Sequence, residues 1–257
     1  MTAASYVVSD MLVLAKRSLM RVRRQPDLLV GYTIQPIMFV LLFLYVFGGA
    51  IQVPGLDYVD FLMPGIIIQS MVFGGFVTAL GLSDDLKKGL IDRFRSLPMW
   101  SPAVVAGRTL GDVGLNVVQL AIMLAVGLLA GFRFSTTFAE VVLGIVLALF
   151  IGYAFSWVFA FLGLVAKSPE SANAYGFTIL FPVTFVSSAF VPVESMPSWL
   201  QPFAENNPFT IMVNAARALF VGTPAGNDVW LAFAWGAAIT LVFASLSIWR
   251  YRRAVAR

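Results

Sequence analysis

Six apolar stretches alternate with short polar segments along the chain, at residues 28–49, 62–82, 109–131, 141–165, 172–190 and 229–249. At about 1.5 Å per residue they would cover roughly 28–37 Å, comparable to the hydrocarbon core of a bilayer. The pattern predicts an all-α polytopic membrane protein with six transmembrane helices, in a single membrane domain over 1–257. Pro36 predicts a kink in span 1, because proline removes a backbone hydrogen bond. Gly74-Gly75 and Pro182 fall inside spans 2 and 5, and Ser171 is placed to cap span 5. Trp230 and Trp249 bracket span 6, where interfacial aromatics belong.

Three segments outside the spans carry patterns of their own. In 1–27, Met11, Leu12, Ala15, Leu19 and Val22 share a helical face, while Lys16, Arg17, Arg21, Arg23 and Arg24 supply a cationic side. This predicts an N-terminal helix lying in the membrane interface; a solvated basic tail is the plainer alternative. Between spans 2 and 3 lies a dense run of charge, residues 83–98. There Leu86, Leu90, Phe94 and Leu97 share one face, widened by Ile91, and Asp85, Lys88, Asp92 and Arg95 occupy the other. Asp84 and Asp85 would sit in the first turn, as the helix dipole favours, and Pro98 would end the helix. The result is a short amphipathic cytosolic helix, either a docking element or an ordinary loop helix over the end of the bundle.

Between spans 5 and 6 the chain is broken by Pro192, Pro197 and Pro202. Asn206-Asn207-Pro208 then reads as a helix start, and Gly222 as its end. Phe209, Met212, Val213, Ala216 and Phe220 form one face, with Thr210, Asn214 and Arg217 on the other side. This helix is too short to span, so it would dip into the membrane or lie on it beside span 6.

Composition narrows the function. The chain is 60% hydrophobic and 12% charged, far from the roughly 25% charge of a soluble domain. No extramembrane segment has the length of a soluble catalytic domain. The net charge of +4 is not a nucleic-acid signature, because the positive residues sit at span ends. With six spans, fifteen of the seventeen Lys and Arg fall on the side of the termini, and Arg133 and Arg217 on the other. The positive-inside rule therefore predicts cytosolic N- and C-termini. There is no His and no Cys, which excludes His-based acid–base catalysis, Cys nucleophiles, disulfides and His/Cys metal sites. No G-x-x-x-x-G-K-[ST] run occurs, so the chain has no phosphate cradle of that type.

Among the polar residues inside the spans are Gln35, Gln69, Asn116 and Gln119. They are candidates for a substrate path, with hydrogen bonding between helices as their commoner use. Asp112 lies near the cytosolic end of span 3 and is predicted to pair with Arg108 one turn away. The scarcity of buried charge argues against ion or proton coupling and suits an apolar or amphiphilic cargo.

Phe181-Pro182-Val183 and the run from Ala189-Phe190-Val191-Pro192 through Met196-Pro197-Ser198-Trp199-Leu200-Gln201 carry a resemblance, continued by Asn207-Pro208-Phe209-Thr210 and Ala216-Arg217-Ala218-Leu219. They resemble the signature of the ABC-type-2 permease family, closest to its daunorubicin-resistance-type branch. Leu90 to Pro98 resembles that branch's first cytosolic loop. The resemblance implies a bacterial plasma-membrane permease subunit of an ATP-driven exporter, not itself an enzyme. It implies two copies of a separate ATP-binding subunit, which would hold ATP and Mg, and a second permease chain, identical or related. It further implies that Leu90, Ile91, Arg93, Phe94, Arg95 and Leu97 enter the ATPase groove, and that the proline-broken outer region forms extracellular re-entrant helices. The chain itself would hold no cofactor or metal, and its remaining partners would be membrane lipids. Polysaccharide exporters of the superfamily often line their path with aromatics. No such track is visible along this sequence, which favours a lipophilic drug, natural product or lipid over a polysaccharide or glycolipid.

Two other classes compete. A secondary transporter or channel would show ionisable groups within the membrane and often inverted repeats; residues 28–131 and 141–249 show no convincing repeat. An intramembrane enzyme would need His, Cys or paired buried carboxylates.

Overall fold

The computed structural model describes residues 26–51, 53–87, 103–224 and 226–255. Among them the chain is helical and forms no strand. Helix α1 (Pro26–Leu41) runs through Pro36 and widens into a π-helical stretch, Leu42–Phe47. Helices α2 (Tyr58–Phe73) and α3 (Phe76–Lys87) follow one another across Gly74-Gly75. Then come α4 (Ala103–Leu129), α5 (Phe138–Val165) and α6 (Pro169–Phe185). The segment after α6 holds a 3₁₀ turn (Val193–Ser195), the short α7 (Gln201–Asn206) and α8 (Pro208–Val221). Helix α9 (Asp228–Val255) closes the bundle.

Local chemistry sets several boundaries. Thr137 and Glu140 form a capping box on α5: the Thr137 side chain accepts from the Glu140 N–H and Glu140 Oε2 accepts from the Thr137 N–H. On α6 the box is Ser168 with Ser171, so Ser171 is the N3 partner and Ser168 the cap that the sequence assigned to Ser171. Gly222, at φ +83°, ends α8 in the left-handed conformation that glycine adopts without strain.

Helix α5 is the hub. It packs against α2, α3, α4, α6, α8 and α9. The main core joins Leu62, Ile66 and Met71 of α2 to Ile151 and Phe159 of α5 and to Met212 and Phe220 of α8. A second cluster gathers Leu82, Val105, Trp157 and Tyr251 from the adjoining ends of α3, α4, α5 and α9. Lipid tails are as apolar as leucine, so such a bundle depends on close fit more than on transfer from water. At Gly163 an added Cβ would stand 2.5 Å from the Ala79 carbonyl oxygen, so α5 and α3 touch backbone to backbone.

Among the described residues, four helical segments are long and apolar enough to cross a membrane: Tyr58–Lys87, Val104–Leu129, Phe138–Val165 and Asp228–Arg253. They match the second, third, fourth and sixth predicted spans. Around the first predicted span, Ile34–Phe47 is a shorter apolar helix. The fifth predicted span reaches residue 190, but α6 ends at Phe185. Its end is held open by Asn207, whose Nδ2 donates to the carbonyls of Val183 and Val186 at 2.7 Å each. The same side chain caps α8, accepting from the Phe209 N–H at 2.9 Å.

Two expectations are corrected, and the burial of α8 is a further finding. Asp84 and Asp85 do not open a new helix, because α3 runs unbroken to Lys87 and carries them in its last turn. No Gly or Pro between Leu82 and Lys87 stops it. Asp85 is buried rather than displayed on a charged face; its Oδ2 takes a 2.7 Å ion pair from Nη1 of Arg108 on α4. The side of α8 carrying Thr210 and Arg217 is buried as well as its apolar face, because α8 packs against α2, α5 and α9 at once. Arg217 donates to Phe61 O, Ser188 O and Asn214 Oδ1, and its guanidinium lies 3.9 Å from the centre of the Phe61 ring.

Candidate functional site: a phenylalanine-lined cavity

A cavity of about 290 Å³ opens where α1, α2, α3, α4 and α6 meet. Helix periodicity builds its walls. Asn173, Phe177, Phe181 and Phe185 recur every fourth residue on α6, and Gln35 and Phe39 stand one turn apart on α1. Phe73 and Phe76 straddle the Gly74-Gly75 break between α2 and α3. Six phenylalanines therefore share one lining. Phe73, Phe76 and Phe177 lie 4.9–5.8 Å apart between ring centres, and Phe181 stacks on Phe185 at 4.0 Å. On the α6 side the cavity is open, with Phe177 and Phe181 more than two-fifths exposed.

Polar groups reach this apolar wall from four helices as the amides of Gln35, Gln69, Gln119 and Asn173. Among the described residues none of those lining it carries a charge. Gln69 is nearly buried and donates to Thr184 Oγ1 at 3.5 Å, a long hydrogen bond that a closer acceptor would outcompete. A broad aromatic surface with a few neutral donors and acceptors is the chemistry of a pocket for an amphiphilic small molecule.

Of the four polar residues singled out in the sequence, Gln35, Gln69 and Gln119 come together here and Asn116 does not. Asn116 is 1% exposed and is wedged between two glycines: an added Cβ on Gly74 would collide with its Oδ1, and one on Gly152 would stand 2.6 Å from its Nδ2. The loop residues Leu90, Ile91, Arg93, Phe94, Arg95 and Leu97 lie outside the described residues. Where spacing predicts an Arg108–Asp112 pair, the Arg108 guanidinium turns to Asp85, and Asp112 Oδ2 accepts from the Thr78 hydroxyl instead. Among the described residues no three Asp or Glu side chains gather as a metal site. The aromatic lining went unseen in the sequence because its rings come from four helices; the four-residue spacing of 173, 177, 181 and 185 was the available signal.

Comparison with known proteins agrees with this architecture. Residues 9–221 match the family model described as ABC-2 type transporter. The daunorubicin resistance ABC transporter permease protein DrrB1 of Streptomyces coeruleorubidus is 38% identical over 250 residues, covering 97% of this chain and 88% of that protein. The probable doxorubicin resistance ABC transporter permease protein DrrC of Mycobacterium tuberculosis is 26% identical over 254 residues, covering 98% and 91%. The putative transport permease ycf38 of Cyanophora paradoxa is 24% identical over 219 residues, covering 84% and 75%. A multi-pass bundle of apolar helices, matched along most of its length to these permeases, makes this chain a member of the ABC-2 type transporter family.

Proposed function

We propose that this chain is the membrane subunit of an exporter that moves a lipophilic or amphiphilic compound out across the bacterial plasma membrane. The energy comes from ATP hydrolysed, with Mg, in two copies of a separate subunit. A second permease chain completes the membrane part. The observation that carries the proposal is the cavity: six phenylalanines and four neutral amides, open on its α6 side. That opening faces either lipid or a second permease chain, and both suit a cargo already dissolved in the membrane. The names of two relatives, for resistance to daunorubicin and doxorubicin, point the same way. The cavity supplies the aromatic lining that was not visible along the sequence, so the preference for a drug or lipid over a polysaccharide rests instead on its rings being all phenylalanine, without the Tyr hydroxyl or Trp N–H that would hydrogen-bond sugar hydroxyls.

In this proposal the topology has six spans, with α1 and α6 as the two that the length criterion leaves out. Both termini are cytosolic, as the distribution of Lys and Arg requires. The loop between α3 and α4, including Leu90, Ile91, Arg93, Phe94, Arg95 and Leu97, docks on the ATPase. The Asp85–Arg108 pair ties together the two helices that emerge from that loop. A push on the loop then travels up α3 to the Gly74-Gly75 break and into the cavity wall at Phe73 and Phe76.

Replacing Phe76 and Phe177 together with alanine tests the cavity. Aromatic pairs contribute about 0.5–1.5 kcal/mol each beyond area burial, and the lost ring area adds to that. The double variant is expected to weaken daunorubicin binding to the purified protein about tenfold or more. An unchanged binding isotherm would remove the cavity as the cargo site.

A further inference from the structure

A packed polar cluster lies beside the cavity, at the junction of α3, α4 and α5. Three helices bring small or polar residues to it in register. The Gly74-Gly75 break and α3 supply Gly74 and Thr78, α4 supplies Asp112 and Asn116, and α5 supplies Gly152 and Ser156. The members of each pair are four residues apart and so share a face. Asn116 sits between Gly74 and Gly152. One turn along, Asp112 accepts from Thr78, with the Ser156 hydroxyl beside it. Thr78 and Ser156 are 0% exposed, and Asp112 and Asn116 are 1% exposed.

The cluster's hydrogen bonding is incomplete. Among the described residues Asp112 Oδ1 and both Oδ1 and Nδ2 of Asn116 have no hydrogen-bond partner, and the Ser156 hydroxyl donates to the Gly152 carbonyl at 3.0 Å. Among the described residues no ion pair reaches Asp112, since Arg108, one turn away, pairs with Asp85. Helices α2 and α5 bring acidic groups only at their far ends, Asp60 and Glu140. A buried carboxylate left this way is costly unless it takes up a proton or an ion or further hydrogen bonds compensate it, and binding of an ion rather than a proton is what the experiment below distinguishes. Its neighbours are two hydroxyls and an amide, all hard neutral oxygens. Asp85, Arg108 and Asp112 together leave one negative charge in excess, with Arg108 acting on Asp112 from one turn away, and the neutral oxygens beside Asp112 suit a hard monovalent cation; broken helices commonly frame such sites in membrane proteins.

We propose that Asp112, Thr78 and Asn116 bind a monovalent cation, with sodium as the ion of fitting chemistry, at the Gly74-Gly75 break. The ion fastens the start of α3 to α4, next to the part of the cavity wall formed by Phe76. The site does not depend on what drives transport. Its test uses the full chain in lipid nanodiscs and follows the thermal unfolding midpoint as sodium chloride replaces choline chloride at constant ionic strength. The wild type is expected to gain about 5 °C, saturably, once sodium is a hundredfold above its Kd. Asp112→Asn and Thr78→Val are expected to lose that gain, and Thr78→Ser to keep it. Bound sodium is counted directly by equilibrium dialysis of the wild type with radioactive sodium, which needs no variant to fold. About one ion per chain supports the site. No bound ion, or equal midpoints in sodium and choline, would overturn it, as would a gain that survives Asp112→Asn.

Discussion

Arg217→Ala is expected to lower the thermal unfolding midpoint of the purified protein by roughly 6–12 °C. Arg217 is buried, and its fork donates to the carbonyl of Phe61 on α2, the carbonyl of Ser188 beyond α6, and the side chain of Asn214 on α8. It thereby ties together three segments, one of which, around Ser188, has no helical ladder to satisfy its carbonyl in a dry setting. Alanine leaves the Ser188 carbonyl bare and takes the charged donor from Phe61 O and Asn214 Oδ1, which keep the α2 ladder and the Ser188 hydroxyl; with hydrogen bonds to charged groups contributing about 1.5–3 kcal/mol, a total loss of about 3 kcal/mol is expected. In a chain of this size each kcal/mol moves the midpoint by about 2–4 °C. Lysine is not expected to rescue the fold, because an ammonium on a single stem cannot reach Phe61 O and Ser188 O with the geometry of a planar fork. Scanning calorimetry or tryptophan fluorescence on both variants checks this. A lysine variant as stable as the wild type would mean that charge, not the fork, is what α8 needs.

Phe94→Asp is expected to reduce ATP-driven export at least tenfold while ATP hydrolysis by the partner subunit continues. Phe94 is central to the apolar face formed with Leu90 and Leu97, in the loop that the proposed function assigns to the ATPase groove. A carboxylate placed against an apolar groove costs several kcal/mol, and about 1.4 kcal/mol already amounts to a factor of ten. The fold is expected to survive, because both ends of the loop are fixed independently by the Asp85–Arg108 pair and by the packing of Leu82, Val105 and Trp157. Parallel measurements of phosphate release and cargo accumulation separate coupling from folding. Export at the wild-type rate would remove Phe94 from the coupling surface.

How far these features were visible in the sequence depends on whether they are local. Hydropathy located every long helix, and Asn207, Pro208 and Gly222 marked α8 to the residue. The ion pair of Arg108 was misassigned because spacing along one helix sees only Asp112, whereas Asp85 lies 23 residues away on another. The end of α6 depends on Asn207, 21 residues beyond Val186, so apolar content alone carried that span too far. Asn116 and Gln119 looked equivalent as polar residues of span 3. Three residues apart, they point differently: Gln119 into the cavity, Asn116 into a notch that exists only where Gly74 and Gly152 face each other. The burial of Arg217 was hidden by its position at the presumed outer surface, and only the packing of α8 against three helices reveals it.

The central claim, an ATP-driven permease rather than an ion-driven carrier, is tested most directly by reconstitution. The purified chain is placed in inverted proteoliposomes with and without the proposed ATPase subunit, and daunorubicin accumulation is followed on adding ATP or an ion gradient. Accumulation is predicted only when the ATPase subunit and hydrolysable ATP are both present. Accumulation by the chain alone, driven by the ion gradient, would contradict the proposed function.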